Sequence, residues 1–373
     1  MKEAAKIYVI TGEASGDLHG ANMISSLLKK NKDINIRYWG GDKIMEVTGK
    51  KPVKHIKDLA FMGFLEVIMN LRTILGNISF CKKDIEEFQP DILVLVDYPG
   101  FNLRIAEWAK ERGIKIFYYI SPQIWAWKQN RVHKIKRIVD HMCVILPFEK
   151  AFYNRFDCEV EYVGHPLLDE ISKHNFADTS DFEKRHEIDE RPILAILPGS
   201  RKQEVKKKLP IMLEAVKGFT SHQIVIAGAP TLSADFYKEF NSSVKIIHNE
   251  TYELLSKSDL AIVTSGTATL ETALYKVPQV VCYKSSQVSY SIAKRLIKVK
   301  YISLVNLIMD KEVVKELIQA ECNPKSIRKE IDLIRDDSEY RKALLDNYSE
   351  LEKMLGSGGA SEKVAQSLLN MID

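Results

Sequence analysis

A series of short apolar runs, separated by stretches of helical periodicity, constrains the fold of this chain more than any other feature. The runs are rich in β-branched residues and are continuous rather than alternating. Continuous runs are typical of parallel strands buried on both faces, and the helical stretches supply the crossovers that parallel strands require. The predicted strands are residues 7–11, 36–39, 91–97, 115–120, 141–146, 159–163, 193–197, 223–227, 244–247, 259–264 and 279–283.

The series is interrupted by a long polar stretch, "SKHNFADTSDFEKRHEIDER". A chain of 373 residues is long enough for two domains of ordinary size. We therefore predict an α/β protein with two Rossmann-like parallel-sheet domains, residues 1–168 and 169–345. The pattern is helical from residue 311 to the end, and we predict a C-terminal helical segment at 346–373.

Composition excludes several classes of protein. A net charge of +4 with 28% charged residues is too mild for a typical nucleic-acid-binding protein. The five cysteines are odd in number and widely spaced, which disfavours a disulfide framework and a cysteine-based zinc site and favours a cytoplasmic location. No metal-binding motif, P-loop or GxGxxG pattern is present, so we expect neither a metal nor a cofactor. No apolar run reaches the roughly 18 residues of a membrane span, so any membrane contact would be peripheral.

The glycine-rich turn "GEASGD" (12–17) directly follows the first predicted strand. Ligands of open parallel sheets bind beyond the carboxyl ends of the strands. This turn carries Glu13, Ser15 and Asp17, and carboxylates accept hydrogen bonds from hydroxyl groups. We therefore expect these residues to contact a sugar or another polar acceptor. The alternative is structural, with Ser15 capping a helix and Asp17 as an acid in its first turn.

Asp97 ends the buried run "LVLVD" and is followed by "YPGFN". Its carboxylate is predicted to leave the sheet at the edge where ligands bind. Partial burial raises a carboxyl pKa toward the range of a general base. We therefore predict a catalytic Asp97. The alternative is an aspartate that only binds the neighbouring backbone.

Two further turns, "LPGSRKQEV" (197–205) and "SGTATLE" (265–271), end strands in the second domain. Arginine has a fork of donors that suits phosphate oxygens, and a glycine-led helix start binds a diphosphate through its free N–H groups. A glutamate one turn into that helix suits ribose hydroxyls. The residues predicted to hold a nucleotide here are Arg201, Ser265, Gly266, Thr267 and Glu271. The alternatives are a surface arginine and an ordinary capped helix.

The segment 61–80 is unusually rich in large apolar residues, which spread beyond a single core-facing stripe. It is either a buried helix or a surface that contacts acyl chains or the bilayer interface. The predicted membrane or acyl contacts are Phe61, Phe64, Leu65, Ile68 and Leu71. The segment 121–140 pairs two tryptophans with several basic residues, which form either a solvated face or a surface that attracts anionic lipid.

Together these motifs resemble the lipid-A-disaccharide synthases. The matching stretches run in the order of that family and cover most of the chain: "GEASGD", "FMGFLEV", "VDYPGFN", "SPQIWAWKQNRVHKIKR", "LPFEKAFY", "VGHPL", "LPGSRKQEV", "SGTATLE" and "YISLVNLI". The resemblance implies a GT-B fold with two Rossmann-like domains facing a central cleft. It also implies inverting transfer from UDP-2,3-diacylglucosamine to 2,3-diacylglucosamine 1-phosphate, which forms a β-1,6 bond and releases UDP.

The same resemblance assigns roles to individual residues. It implies that Asp97 is the base and that Arg201, Glu271 and Asn306 lie on the nucleotide side. It further implies action at the cytoplasmic face of the inner membrane, and a homodimer in which C-terminal segments are exchanged. One departure is Gly100, where the family commonly has a second acid. The alternatives are another GT-B enzyme, such as a UDP-N-acetylglucosamine 2-epimerase, and a nucleotide-sugar-binding module that has lost catalysis.

Overall fold

The computed structural model describes residues 4–59, 71–174, 180–241 and 243–372. The chain forms two compact units. Unit 1 consists of Met1–Asp169 and Ser357–Asp373, and unit 2 consists of Glu170–Gly356. The first division along the chain therefore falls after Asp169, beside the boundary that we predicted after residue 168.

Unit 1 contains a seven-stranded parallel sheet with the order β3-β2-β1-β4-β5-β6-β7. Its strands are β1 (Lys6–Ile10), β2 (Asn35–Gly40), β3 (Lys54–His55), β4 (Ile92–Val96), β5 (Lys115–Tyr119), β6 (His141–Val144) and β7 (Glu161–Tyr162). Its helices, numbered in chain order, are α1 (Ala14–Lys30), α2 (Asp42–Thr48), α3 (Leu71–Phe88), α4 (Pro99–Lys110), α5 (Ile124–Trp127), α6 (Arg131–Ile138), α7 (Pro147–Asn154), the boundary helix α8 (Pro166–Lys173) and the C-terminal α18 (Ala360–Ile372). All five residues of β4 are fully buried, as expected for a strand covered on both faces.

The C-terminal helix α18 belongs to unit 1. Its apolar residues join one core cluster with residues of β1, β4 and α1. The Asp169 carboxylate accepts hydrogen bonds from the backbone N–H groups of Gly359 and Ser361, at 2.6 and 2.8 Å, and so binds free donors at the start of this helix. The predicted segment 346–373 is thus divided, because its first part lies in unit 2.

Unit 2 contains a six-stranded parallel sheet with the order β10-β9-β8-β11-β12-β13. Its strands are β8 (Ile193–Leu197), β9 (Gln223–Gly228), β10 (Lys245–His248), β11 (Ser258–Thr264), β12 (Gln279–Tyr283) and β13 (Lys315–Ile318). Its helices are α9 (Ser180–Arg185), α10 (Lys202–Ala215), α11 (Ala234–Lys238), α12 (Thr251–Lys257), α13 (Thr267–Leu274), α14 (Gln287–Leu296), α15 (Leu304–Met309), α16 (Pro324–Asp336) and α17 (Ser338–Leu355).

The two parallel sheets confirm the predicted fold class. The prediction of an entirely helical pattern from residue 311 is wrong, because β13 pairs in parallel with β12. This edge strand reads "KELI" and is only partly buried, so it lacks the continuous apolar run that identified the central strands. None of the helices in the described parts of the chain is long and apolar enough to cross a membrane.

Candidate active site

In unit 1, the polar turns meet where the strand order reverses. The chain proceeds from β1 to β2 and β3 on one side, and from β4 to β5, β6 and β7 on the other. β1 and β4 are neighbours, so the turn after Ile10 and the turn after Val96 leave the same edge of the sheet side by side. Such a reversal point is where open α/β sheets bind ligands.

The backbone of Asp97 is held in an uncommon conformation by three hydrogen bonds. Asp97 and Tyr98 both have left-handed φ angles, 46° and 49°. The Asp97 N–H donates to the Tyr119 carbonyl at 3.0 Å. The Asp97 carbonyl accepts from Tyr118 Oη and from Asn102 Nδ2, both at 2.7 Å. Strained backbone of this kind persists only where its surroundings fix it and is concentrated at functional sites.

The environment of Asp97 raises the pKa of its carboxyl to about 6. Burial is the largest cause, the negative charge of Glu13 adds to it, and a hydrogen bond from the Tyr98 backbone N–H partly offsets both. A general base is most effective when its pKa lies near the operating pH. Asp97 is therefore ionised at neutral pH but basic enough to accept a proton from an activated hydroxyl.

Gly12 is required by the position of the Tyr98 ring. A Cβ atom on Gly12 would lie 2.2 Å from Cγ of Tyr98. Tyr98 also stacks on Phe101, with ring centroids 5.6 Å apart. The first glycine of "GEASGD" therefore lets the turn after β4 pack directly on the turn after β1.

The three polar residues of this motif have different surroundings. Glu13 is the N-cap residue of α1 and is partly buried, and Ser15 is exposed in the first turn of that helix. Asp17 is 2% exposed, and its two carboxylate oxygens accept from the backbone N–H groups of Gly41 and Lys43 at 2.6 and 3.0 Å. The structure thus corrects the prediction for Asp17, because its carboxylate caps α2 instead of facing a ligand.

In unit 2, a cavity of about 290 Å³ lies at the corresponding reversal point, between β8 and β11. The cavity is lined by the turns after β8, β9 and β11 and by the first turns of α12 and α13. The lining residues are Leu197, Gly199, Ser200, Glu204, Ala227, Gly228, Ala229, Pro230, Thr251, Thr264, Ser265, Gly266, Thr267, Ala268 and Glu271. Four of the predicted nucleotide-binding residues are among them.

The start of α13 supplies hydroxyl and N–H groups to this cavity. Gly266 is its N-cap residue and has φ of 152°, which side chains rarely tolerate. Ser265 Oγ donates to the Ile302 carbonyl at 2.9 Å, and Thr267 is exposed. Thr264 Oγ1 is buried and has no hydrogen-bond partner among the described residues. Sequence reasoning missed Thr264, although this residue is the last of β11 and lies at the carboxyl end where ligands bind.

Glu271 lies one turn into α13 and is partly buried at the cavity wall. Burial raises the pKa of its carboxyl to about 7, and a hydrogen bond from Tyr252, at 3.2 Å, lowers it in part. The Tyr252 ring in turn stacks on Tyr275, with centroids 5.7 Å apart. The glutamate is therefore held by an aromatic pair and can accept a hydrogen bond from a ligand hydroxyl.

Arg201 does not line the cavity. It is the N-cap residue of α10, its side chain is 55% exposed, and its Nη1 lies 3.6 Å from Oε1 of Glu204. An exposed pair at this distance is weak, so the guanidinium can reorient toward a phosphate at small cost. Glu204 does line the cavity and was not singled out by the sequence analysis.

The structure corrects the prediction for Asn306. This residue is fully buried. Its Nδ2 donates to the Val314 carbonyl and to Glu316 Oε1, and its Oδ1 accepts from the N–H groups of Val313 and Val314, all between 2.8 and 2.9 Å. An amide has two donor hydrogens and two acceptor sites, so the side chain has no capacity left for a nucleotide.

The first half of the predicted membrane segment 61–80 lies outside the described residues. Phe61, Phe64, Leu65 and Ile68 are not described, and neither is the side chain of Leu71. In the described remainder of the segment, Leu75 and Phe80 are 52% and 48% exposed.

The segment 121–140 presents one of its two tryptophans to solvent. Trp127 is 40% exposed and is flanked by Lys128 and Arg131, whose cationic groups lie 4.3 and 5.4 Å from its ring centroid. Trp125 is buried and donates to Glu149 Oε1 at 3.1 Å. Trp127 and Trp125 therefore have different environments, one amphipathic and one in the core.

Comparisons with protein families and curated sequences agree with one another. A family model described as lipid-A-disaccharide synthetase matches residues 7–367. The chain is 40% identical to the lipid-A-disaccharide synthase of Syntrophus aciditrophicus over 378 residues, which covers 98% of this chain and 97% of that protein. It is 38% identical to the synthase of Trichlorobacter lovleyi, with coverage of 99% and 98%.

Solved structures show the same architecture at low sequence identity. A UDP-GlcNAc 2-epimerase from Neisseria meningitidis bound to UDP-GlcNAc superimposes with a TM-score of 0.68 at 16% identity, covering 98% of this chain and all of that one. The glycotransferase of kitacinnamycin superimposes with a TM-score of 0.66 at 14% identity, with 99% of each chain covered. These likenesses establish the fold, which is GT-B.

Proposed function

Because this chain belongs to the lipid-A-disaccharide synthase family, we propose that it joins UDP-2,3-diacylglucosamine to 2,3-diacylglucosamine 1-phosphate through a β-1,6 bond. Membership makes the chain a glycosyltransferase of lipid A biosynthesis, with a UDP-sugar as donor and a lipid as acceptor. The acylation pattern, the linkage and the residue roles are the content of the proposal. UDP is the second product.

The observation that carries the role of a base is the position of Asp97, which lies at the reversal point of unit 1 with its backbone held by Tyr118 and Asn102, where burial raises the pKa of its carboxyl to about 6. Asp97 removes the proton of the acceptor 6-hydroxyl while that oxygen attacks the anomeric carbon of the donor. The bond from that carbon to the diphosphate breaks, and positive charge develops on the sugar ring as in glycoside hydrolysis. Attack on the face opposite the leaving group inverts the configuration. Glu13 supports this role, since its charge helps to keep the Asp97 carboxylate basic.

Unit 2 is proposed to bind the uridine diphosphate of the donor. The N–H groups at the start of α13 and the hydroxyls of Ser265 and Thr267 face the diphosphate, and Arg201 turns toward it. Glu271 accepts hydrogen bonds from the ribose hydroxyls. The buried hydroxyl of Thr264 supports a polar ligand in this cavity, since buried polar atoms are nearly always hydrogen-bonded. Negative charge that builds on the departing diphosphate is stabilised by these donors.

The acyl chains of the substrates are proposed to contact the segment 61–80, which would place the enzyme at the inner face of the cytoplasmic membrane. Exposed Leu75 and Phe80 support an apolar contact surface. Trp127 with Lys128 and Arg131 combines an amphipathic ring with positive charge, which suits an anionic lipid interface.

A homodimer formed by exchange of α18 is a further part of the proposal. The contacts that α18 makes with the rest of unit 1, including its cap by Asp169, could be made equally by the α18 of a second copy. Light scattering of the purified protein tests this part separately: a monomeric mass at all concentrations would contradict it.

The decisive experiment supplies the purified protein with both acylated glucosamine substrates and identifies the products by mass spectrometry. We expect a tetra-acylated disaccharide monophosphate and an equal amount of UDP. A parallel incubation with UDP-N-acetylglucosamine alone tests the epimerase alternative. Epimerised sugar in that incubation, with no disaccharide in the first, would reject the proposed reaction.

A further inference from the structure

Three side chains with metal-binding atoms converge on the sheet of unit 1. His141 and Cys143 are two residues apart in β6, so their side chains lie on one face of the strand. Glu161 in β7 is the register partner of Cys143, and its side chain therefore points to that same face. One ring nitrogen, the thiol sulfur and one carboxylate oxygen all lie within 4.8 Å of one another.

Neighbouring groups orient these side chains. His141 Nε2 lies 2.8 Å from Glu161 Oε2, and Cys143 Sγ lies 4.0 Å from that oxygen. Ser367 of α18 donates its hydroxyl hydrogen to the same oxygen at 2.6 Å. The Phe117 ring stacks on the imidazole, with centroids 5.2 Å apart and planes 20° from parallel. The imidazole and the carboxylate are thus fixed by groups outside the cluster.

We propose that His141, Cys143 and Glu161 bind a zinc ion, with water in the fourth position. Nitrogen, sulfur and carboxylate oxygen are the ligands that Zn²⁺ takes in proteins, at about 2.0 to 2.3 Å from the metal. Donor atoms around a tetrahedral ion at those bond lengths are about 3.3 to 3.8 Å apart. On binding, His141 Nε2 and Glu161 Oε2 therefore move slightly apart from 2.8 Å, and Cys143 Sγ moves closer than 4.0 Å to that oxygen. The thiol proton passes to solvent when the thiolate binds the metal.

The position of this cluster indicates a structural site. It lies on the face of the sheet covered by α18, and β5 separates β6 from β4, the strand that Asp97 follows. β7 is the edge strand of the sheet and has only two residues. A metal ion that joins β6 to β7 beneath α18 would stabilise this edge without taking part in glycosyl transfer.

The sequence alone gave no sign of this site. Zinc motifs are recognised by closely spaced cysteine and histidine pairs. Here one residue lies between the first two ligands and seventeen lie between the second and the third, which is a glutamate. They come together only through the parallel register of β6 and β7.

Cobalt titration of the full chain tests the proposal. The protein is purified with a reductant, stripped with a chelator, dialysed and titrated with Co²⁺. We expect one equivalent to give a thiolate-to-cobalt absorption band in the near ultraviolet and the visible bands of a tetrahedral site. Zn²⁺ should abolish these bands and, by binding the folded state, raise the melting temperature as its concentration increases.

Two variants and two controls locate the site. Cys143→Ala should lose the near-ultraviolet band, and His141→Ala should weaken cobalt binding at least tenfold. Cys143 is buried, so Cys143→Ala also removes packing in the core. The His141 side chain is 34% exposed, so His141→Ala leaves the core intact and tests the site independently. Cys158→Ala and Cys282→Ala, at other buried cysteines, should keep the band and the melting shift.

The proposal would be overturned by any of three results. The first is a wild-type protein that shows no thiolate-to-cobalt band. The second is a folded Cys143→Ala or His141→Ala variant that binds Co²⁺ as the wild type does. The third is loss of the band in Cys282→Ala, which would place the metal in unit 2. Activity at moderate temperature should be similar with and without Zn²⁺, so these outcomes are independent of the proposed glycosyl transfer.

Discussion

The two units place a glycine-containing turn at the same topological position, but the turns have opposite electrostatic character. In unit 1 the reversal point brings together Asp97 and Glu13, and the negative charge of Glu13 adds to the burial that raises the pKa of Asp97. In unit 2 the reversal point has a helix start and several hydroxyls, with Arg201 at the next turn. The first environment favours proton removal, and the second favours binding of negative charge. One architecture thus supports two chemical tasks through the residues in its turns.

The glycines in these turns are needed for different reasons. Gly12 leaves room for the Tyr98 ring, whereas Gly266 has open space around its α-carbon and a φ angle that side chains rarely adopt. Glycine is therefore needed for close packing in unit 1 and for backbone conformation in unit 2.

The largest expected effect comes from removing the base. Asp97→Asn should lower kcat by about 10³-fold, in line with the contribution of a positioned general base, because the amide cannot accept the proton. UDP affinity should change less than twofold, since the nucleotide is assigned to unit 2. Calorimetry and a product assay measure the two quantities. Asp33→Asn, an exposed aspartate in the same unit, is the charge-matched control, and near-normal turnover by Asp97→Asn would refute the assignment.

The packing role of Gly12 predicts the next effect. Gly12→Ala should displace Tyr98 and reduce kcat/KM by about tenfold or more, with a loss of about 1–3 kcal/mol in the free energy of unfolding from overpacking. Gly100→Ala lies three residues from Asp97 and meets no atom within 4 Å. This control should keep full activity and gain slightly in stability, because alanine is the better helix former. Equal effects of the two substitutions would contradict the packing argument.

Glu271 and Asn306 were assigned the same role by resemblance, and the structure separates them. Glu271→Gln should weaken UDP binding by about tenfold, equivalent to 1.4 kcal/mol, and leave the melting temperature almost unchanged.

Asn306→Ala should show the reverse, losing about 2–4 kcal/mol of stability through the buried groups that it leaves unsatisfied. Calorimetric titration and denaturant unfolding distinguish the two. A stable Asn306→Ala variant that no longer binds UDP would indicate that Asn306 contacts the nucleotide.

The pair of acids in unit 1 predicts a pH effect. Asp97 must be ionised to act as the base, so kcat/KM should fall as the pH drops through about 6. Glu13→Gln removes a negative neighbour and lowers the pKa of Asp97. The acid limb of the profile should therefore move to lower pH, by a fraction of a unit. A profile that moves upward or stays fixed would show that Glu13 does not act on Asp97.

The smallest effect is expected at Asp17. Asp17→Asn weakens the cap of α2 and should cost about 1 kcal/mol of stability. The folded enzyme should keep its KM for the acceptor, because both carboxylate oxygens bind backbone N–H groups. A large rise in the KM for the acceptor with unchanged stability would indicate that Asp17 contacts the acceptor.

The site was only partly predictable from sequence. Asp97 and the cavity residues at the start of α13 follow from one rule, that ligands of parallel sheets lie beyond the carboxyl ends of the strands. Asn102 and Tyr118, which hold the Asp97 backbone, gave no comparable signal because they act through its carbonyl. Thr264 ends a predicted strand, but the sequence does not show that its buried hydroxyl lacks a partner among the described residues. β13 was missed because a short edge strand needs no continuous apolar run.

By itself the sequence determined the class of fold, the strands of both sheet centres and the edges where chemistry is expected, because apolar periodicity and strand ends are local properties. Only the tertiary structure decided which polar side chains remain available for a ligand. Asp17 binds backbone 24 and 26 residues away, and Asn306 binds backbone seven and eight residues away and the Glu316 side chain of β13. All four hydrogen-bonding sites of the Asn306 amide are occupied, and the Asp17 carboxylate is buried against the start of α2, so neither side chain is available to a ligand. Both environments arise from the way segments pack in the fold, which local sequence patterns do not specify.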